Sequence, residues 1–125
     1  LAFSKNELEV LKGKVDIYSG NDGETIEFMK MGGKGVVSVA SHVVGNEIYD
    51  LINHVLNDEI ESAEHLQNQL LPLFDLLFEE PSPGPVKYLL TKTWEDVGSP
   101  LMPITDISNE LANKILENYQ KIKNN

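Results

Sequence analysis

The spacing of apolar residues changes along the chain and predicts a different element at each change. Residues 1–14 carry Leu8 and Leu11 among Glu and Lys, the pattern of a helix tail, with Gly13 placed to cap it. Val15 to Ser19 has Val, Ile and Tyr at strand-favouring density and meets Gly20-Asn21-Asp22-Gly23, which is turn chemistry, so a short strand ends there. Glu24 to Met31 returns to helical spacing through Ile26, Phe28 and Met29 and stops at Gly32-Gly33. Gly35 to Ala40 holds Val36, Val37 and Val39 almost without polar interruption, which predicts a strand covered on both faces, as parallel strands are. Strand, helix and strand in this order make a βαβ unit.

The second half is helical. Ile48, Leu51, Ile52, Val55 and Leu56 form one apolar stripe, broken at Asn57-Asp58. A longer helix is predicted from about Ile60 to Phe78, with Ala63, Leu66, Leu70, Phe74 and Leu77 on one side. Pro72 inside it should cause a kink, because the ring removes an amide donor and crowds the preceding turn. Glu80-Pro81-Ser82-Pro83-Gly84-Pro85 reads as a stiff connector. A short amphipathic helix follows from Val86 to Trp94. Thr105 or Asp106 can cap a last one carrying Ile107, Leu111, Ile115, Tyr119 and Ile122.

Charge narrows the partners. The chain has 10 basic and 20 acidic residues in 125, a net charge of −10, 41% apolar residues and no cysteine. Disulfide and thiolate chemistry are excluded, and the length suits one core. Nucleic acid and anionic membrane are poor partners, since both are bound through clustered cations. No apolar run approaches the roughly 18 residues of a membrane span, and the first residues lack a secretory order, so a cytoplasmic location is expected. A chain starting at Leu1 rather than Met is expected to be trimmed or truncated.

Candidate chemistry is sparse. Gly20-Asn21-Asp22-Gly23 stands where α/β proteins present backbone to ligands, although glycines at positive φ with Asp22 as a helix cap explain it more simply. Gly32-Gly33-Lys34-Gly35 precedes a strand and lacks the ending of a phosphate loop, so it reads as a tight connection. His42, His54 and His65 lack metal-ligand spacing, and no metal is expected. His54 and His65 are expected on solvated faces beside Asp58, Glu59, Glu61 and Glu64, and His42 with Ser41 forms no triad by sequence. Lys34 and Lys87 read as exposed rather than as amines in a dry pocket.

Three segments together carry a resemblance: Tyr18-Ser19-Gly20-Asn21-Asp22, the run from Gly32 to Glu47, and Pro81-Ser82-Pro83-Gly84-Pro85-Val86-Lys87. In order and spacing they resemble the dihydrodipicolinate synthase family of pyruvate-dependent Schiff-base aldolases, from about Val15 to the last helix. The resemblance implies an α/β fold, the C-terminal portion of a (β/α)8 TIM barrel, which needs about 250 residues in full. Residues 1–56 would be the end of the barrel, with Val15–Ser19 as its seventh strand and Gly35–Ala40 as its eighth. Residues 57–125 would be a C-terminal helical appendage.

The family condenses pyruvate with aspartate semialdehyde in lysine and diaminopimelate biosynthesis, through an imine on a lysine at the end of the sixth strand. By that resemblance the lysine falls upstream of Leu1, so this chain holds no catalytic residue and is expected to be inactive alone. Val37 matches an aliphatic position lining the pyruvate site, Gly20 a position whose backbone approaches substrate, and Asp22 an acidic loop position near the mouth. Ser82 stands where Asn is frequent, and Gly84 replaces a usual aliphatic residue. No organic cofactor and a homotetramer are implied. Two rival expectations are a non-catalytic remnant that binds a partner through open strand edges, and a fragment of a sister aldolase such as N-acetylneuraminate lyase.

Overall fold

The computed structural model describes residues 5–125. Helix α1 (Lys5–Leu11) ends at Gly13, whose φ of +79° turns the chain so that the amides of Lys14 and Val15 both reach the Leu11 carbonyl. The expected glycine cap is therefore present, while the first four positions of that helix tail lie outside the described residues.

Strands β1 (Tyr18–Ser19) and β2 (Gly35–Val36) pair in parallel, Tyr18 opposite Gly35 and Ser19 opposite Val36. A 3-10 turn at Asp22–Glu24 and helix α2 (Thr25–Lys30) connect them, which gives the expected βαβ unit. Both strands are shorter than the stretches Val15–Ser19 and Gly35–Ala40. A ladder persists only where a neighbour supplies partners, and each strand has one neighbour among the described residues.

Helix α2 closes with paired bonds from the Gly32 amide to Met29 and from the Gly33 amide to Phe28, with Gly32 at φ +105°. This C-terminal motif needs a left-handed residue at that place, which explains Gly32.

Helices α3 (Ser41–Leu56) and α4 (Ile60–Leu76) form a hairpin whose turn places Asp58 at φ +61°. They pack with α5 (Gly84–Thr93) and α6 (Asn109–Lys123) around Val44, Leu51, Leu70, Leu77, Leu89 and Ile115, all fully buried. Burial of each such side chain contributes about 1.5–3 kcal/mol, so this cluster holds the helices to the βαβ unit through Ile26 and Ala40.

Several boundaries differ from the expectations. Helix α4 runs through Pro72 as one helix, and the residue that leaves helical geometry is Val44 in α3, at φ −128° and ψ 40°. Pro72 is exposed, so water can serve the Asn68 carbonyl that loses its amide partner. Helix α5 begins at Gly84, because Pro85 fits the first helical turn, where no amide donor is required. The cap of α6 is Ser108, whose Oγ accepts the Leu111 amide at 3.2 Å, rather than Thr105 or Asp106. Ile107 consequently lies before that helix, half-buried against the core. No helix among the described residues is long and apolar enough to cross a membrane.

Candidate functional site at the C-terminal ends of the strands

Parallel pairing brings the C-terminal ends of β1 and β2 side by side. Side chains alternate across a strand, so Ser19 and Val36 share one face and Tyr18 and Gly35 the other. Ser19 is buried and Val36 packs on the core, whereas Tyr18 is 54% exposed and Val37 is 72% exposed. On the second face the Tyr18 ring covers Gly35, while Tyr18 and Val37 themselves stay exposed, which corrects the expectation of a strand buried on both sides. The ladder ends with the Val37 amide donating to the Ser19 carbonyl at 2.8 Å.

The loop after β1 is ordered by its own polar groups. Ser19 Oγ accepts the Asn21 amide at 3.0 Å, and Asn21 Oδ1 accepts the Gly23 amide at 3.1 Å. Asn21, not Asp22, therefore caps the turn, and neither Gly20 nor Gly23 has a positive φ. Asp22 is 5% exposed; its Oδ2 accepts the Ala40 amide at 3.2 Å, and its Oδ1 has no hydrogen-bond partner among the described residues. Thr25 Oγ1 donates to the Asp22 carbonyl at 2.8 Å and holds the residue in place.

Helix α4 completes this end of the molecule. It runs antiparallel to α2: Glu64 pairs with Lys30 at 2.8 Å, Gln67 Oε1 accepts the Ile26 amide at 3.5 Å, and Leu71 lies against Gly23. Its last turn then brings Phe74, Asp75 and Phe78 to the loop, enclosing with Gly20, Asn21, Asp22 and Gly23 a cleft of about 440 Å³. The sequence reading places Phe74 on an apolar helix stripe and names none of Phe74, Asp75 and Phe78 as a site residue. The exposed Phe78, next to a core stripe, was the available signal, but its partner loop lies more than fifty residues earlier in the chain.

The remaining candidates are dispersed. His42 is exposed on the first turn of α3, and the neighbouring Ser41 hydroxyl donates to the Ser38 carbonyl rather than to an imidazole. His54 pairs with Glu59, and His65 contacts Gln69 at 3.3 Å. No group of three or more His, Asp or Glu side chains among the described residues is placed to hold a metal. Lys34 is exposed at the opposite, N-terminal end of β2. Lys87 is half-buried, in contrast to its expected exposure, because its Nζ donates to the Ser99 carbonyl at 2.9 Å. At Gly84 an added Cβ would lie 3.2 Å from Ile107 Cγ2, so the missing side chain makes room for Ile107.

Known proteins share this fold. The model of the dihydrodipicolinate synthetase family matches residues 4–122. A 4-hydroxy-tetrahydrodipicolinate synthase of Listeria monocytogenes is 42% identical over 108 residues, covering 84% of this chain and 37% of the relative. The crystal structure of a dihydrodipicolinate synthase from Bacillus anthracis superimposes with a TM-score of 0.85 at 37% identity, over 91% of this chain and 40% of that one. The dihydrodipicolinate synthase from Aquifex aeolicus gives a TM-score of 0.87 at 30% identity, over 96% and 42%. The chain thus spans about two-fifths of the length of the proteins it matches. With its parallel two-stranded sheet and packed helices retained over nearly its whole length, the chain belongs to the dihydrodipicolinate synthetase family.

Proposed function

We propose that this chain forms the last two βα units and the helical appendage of a (β/α)8 barrel that condenses pyruvate with aspartate semialdehyde, and that it supplies one wall of the keto-acid pocket. The single observation that carries this is the exposure of Tyr18 and Val37 on one face of the β1–β2 sheet, beside the Gly20 turn. Barrel strands present side chains to the lumen in this way, and barrel enzymes place their chemistry at the C-terminal ends of the strands. Gly20, with no side chain, lets a substrate approach the backbone, and Val37 offers an apolar wall. Asp22 lies behind this wall, buried, with its carboxylate turned to the Ala40 amide.

The covalent step needs an amine that attacks the keto carbon of pyruvate and expels water to give an imine. No lysine of this chain lies between Val15 and Met29 or between Val36 and Val86, so neither strand carries one at its C-terminal end. The nucleophile in this reading belongs to another part of the barrel, and the chain alone does not condense pyruvate. The assembled enzyme would be cytoplasmic and homotetrameric, as the family resemblance implies.

Mixing this chain with the N-terminal barrel half of a family member tests the reading. Condensation is expected in the mixture and in neither piece alone. Borohydride reduction with labelled pyruvate should mark the partner half. Stoichiometric label at one site on this chain by itself would overturn the reading.

The free outer edges of β1 and β2 favour a second reading, a non-catalytic piece that associates through strand addition. A stable monomer by light scattering would count against it.

A further inference from the structure

Beyond Val37 no backbone hydrogen bond among the described residues ties the loop after β1 to the segment after β2. The next connection between them is the side chain of Asp22, whose Oδ2 takes the Ala40 amide across eighteen residues at 3.2 Å. Ala40 is fully buried, immediately precedes α3 and has no side chain able to cap it. The carboxylate therefore serves as one more rung of the sheet, made by a side chain where the backbone ladder has stopped. Gly20 lies two residues before this rung on one segment, and Val37 three residues before it on the other.

We propose that Asp22 is a positioning residue: it fixes the spacing between the Gly20 backbone and Val37 by holding Ala40, and it contacts no substrate. This rests on the keto-acid pocket proposed above. Three observations support it. Asp22 is 5% exposed, unlike an acid that meets substrate at an open mouth. Its second oxygen has no partner among the described residues, so the Ala40 bond offsets the desolvation of the group there. Its own carbonyl is held by Thr25 Oγ1, so the side chain extends from a fixed backbone.

The test uses Asp22→Asn and Asp22→Ala in this chain assembled with the N-terminal half of a family barrel. An amide oxygen still accepts the Ala40 N–H, so Asp22→Asn is expected to keep both KM values within about twofold of the parent. Asp22→Ala removes the rung and should raise the KM for pyruvate by roughly tenfold, with a smaller change for the aldehyde, because small displacements in a pocket are costly. A rise in the aldehyde KM that is equal for the two variants, with pyruvate unaffected, would show direct contact and overturn the proposal.

Amide hydrogen exchange on the 125-residue chain is the second measurement, and it does not depend on activity or on the alanine variant folding. The Ala40 amide should be protected in the parent and in Asp22→Asn. Exchange in the parent at the rate of an exposed amide would overturn the proposal. An assembly of parent sequences that does not condense pyruvate removes the functional reading of the site, while the Ala40 exchange still decides whether Asp22 holds the two segments together.

Discussion

Gly33 lies directly against the ring of Phe28: a Cβ built on the glycine would fall 2.2 Å from Phe28 Cδ1 and 2.9 Å from the Phe28 carbonyl oxygen. Phe28 is only 2% exposed, so the ring cannot swing outward without leaving the core. This contact explains the second glycine of the pair by space, whereas Gly32 is required by its backbone angle.

Gly33→Ala is expected to destabilise the chain by about 1–3 kcal/mol, the usual cost of overpacking a filled site. Gly45→Ala is the control, since nothing lies within 4 Å of an added Cβ there. It should leave stability unchanged or raise it by about 0.4–1 kcal/mol. Urea midpoints at constant slope would measure both, and equal effects at the two positions would contradict the packing argument.

The start of α6 is tied to the connector before α5. Ser108 caps the helix, and its amide and hydroxyl donate to Glu80 at 3.1 Å and 2.6 Å. Ser108→Ala should cost about 0.5–2 kcal/mol. Glu80→Gln should cost less, and the double variant should show coupling between the two sites. Strict additivity in denaturant unfolding would mean that the Glu80 link contributes nothing.

Lys114 has its pKa raised above the ordinary 10.5 by a hydrogen bond to Glu110 and by the charges of Glu79 and Glu110. A cation stabilised in the folded state adds stability below its unfolded pKa, and that contribution disappears as pH rises through the higher folded value. Stability should therefore fall between neutral pH and strongly alkaline pH with a component that Lys114→Met removes. The ammonium is exposed, so added salt should shrink this component as well. Thermal midpoints across pH 7–12, compared for parent and variant, would check it.

Val37, 72% exposed, contributes little to the fold of this chain. Val37→Ala should change the unfolding free energy by no more than about 0.5 kcal/mol. In the assembled barrel the same substitution should raise the KM for pyruvate severalfold. A loss of stability as large as that of a core substitution would place Val37 in the packing of this chain and not on a pocket wall.

Element types were legible where the residue pattern has only one physical solution. The stripe Ile48, Leu51, Ile52, Val55 and the stripe Ala63, Leu70, Phe74, Leu77 could bury their apolar faces only as helices, and α3 and α4 are there. Glycines 13, 32 and 33 marked helix ends because few other residues fit the geometry. Strand lengths were not legible: Val15 and Val39 favour a strand as strongly as Tyr18 or Val36 do, but pairing requires a neighbour that a propensity does not contain.

The sequence by itself determined the βαβ order, the helical second half, the family and the absence of a lysine at the C-terminal end of either strand, because each follows from local period, turn chemistry or residue identity. Only the tertiary structure decided that Asp22 bonds Ala40 instead of capping its own turn, that Phe74, Asp75 and Phe78 meet the Gly20 loop, and that Tyr18 and Val37 stay exposed on one face of the sheet. Those outcomes depend on contacts between residues far apart in the chain, where the burial of one segment sets which polar group of another is left to be satisfied.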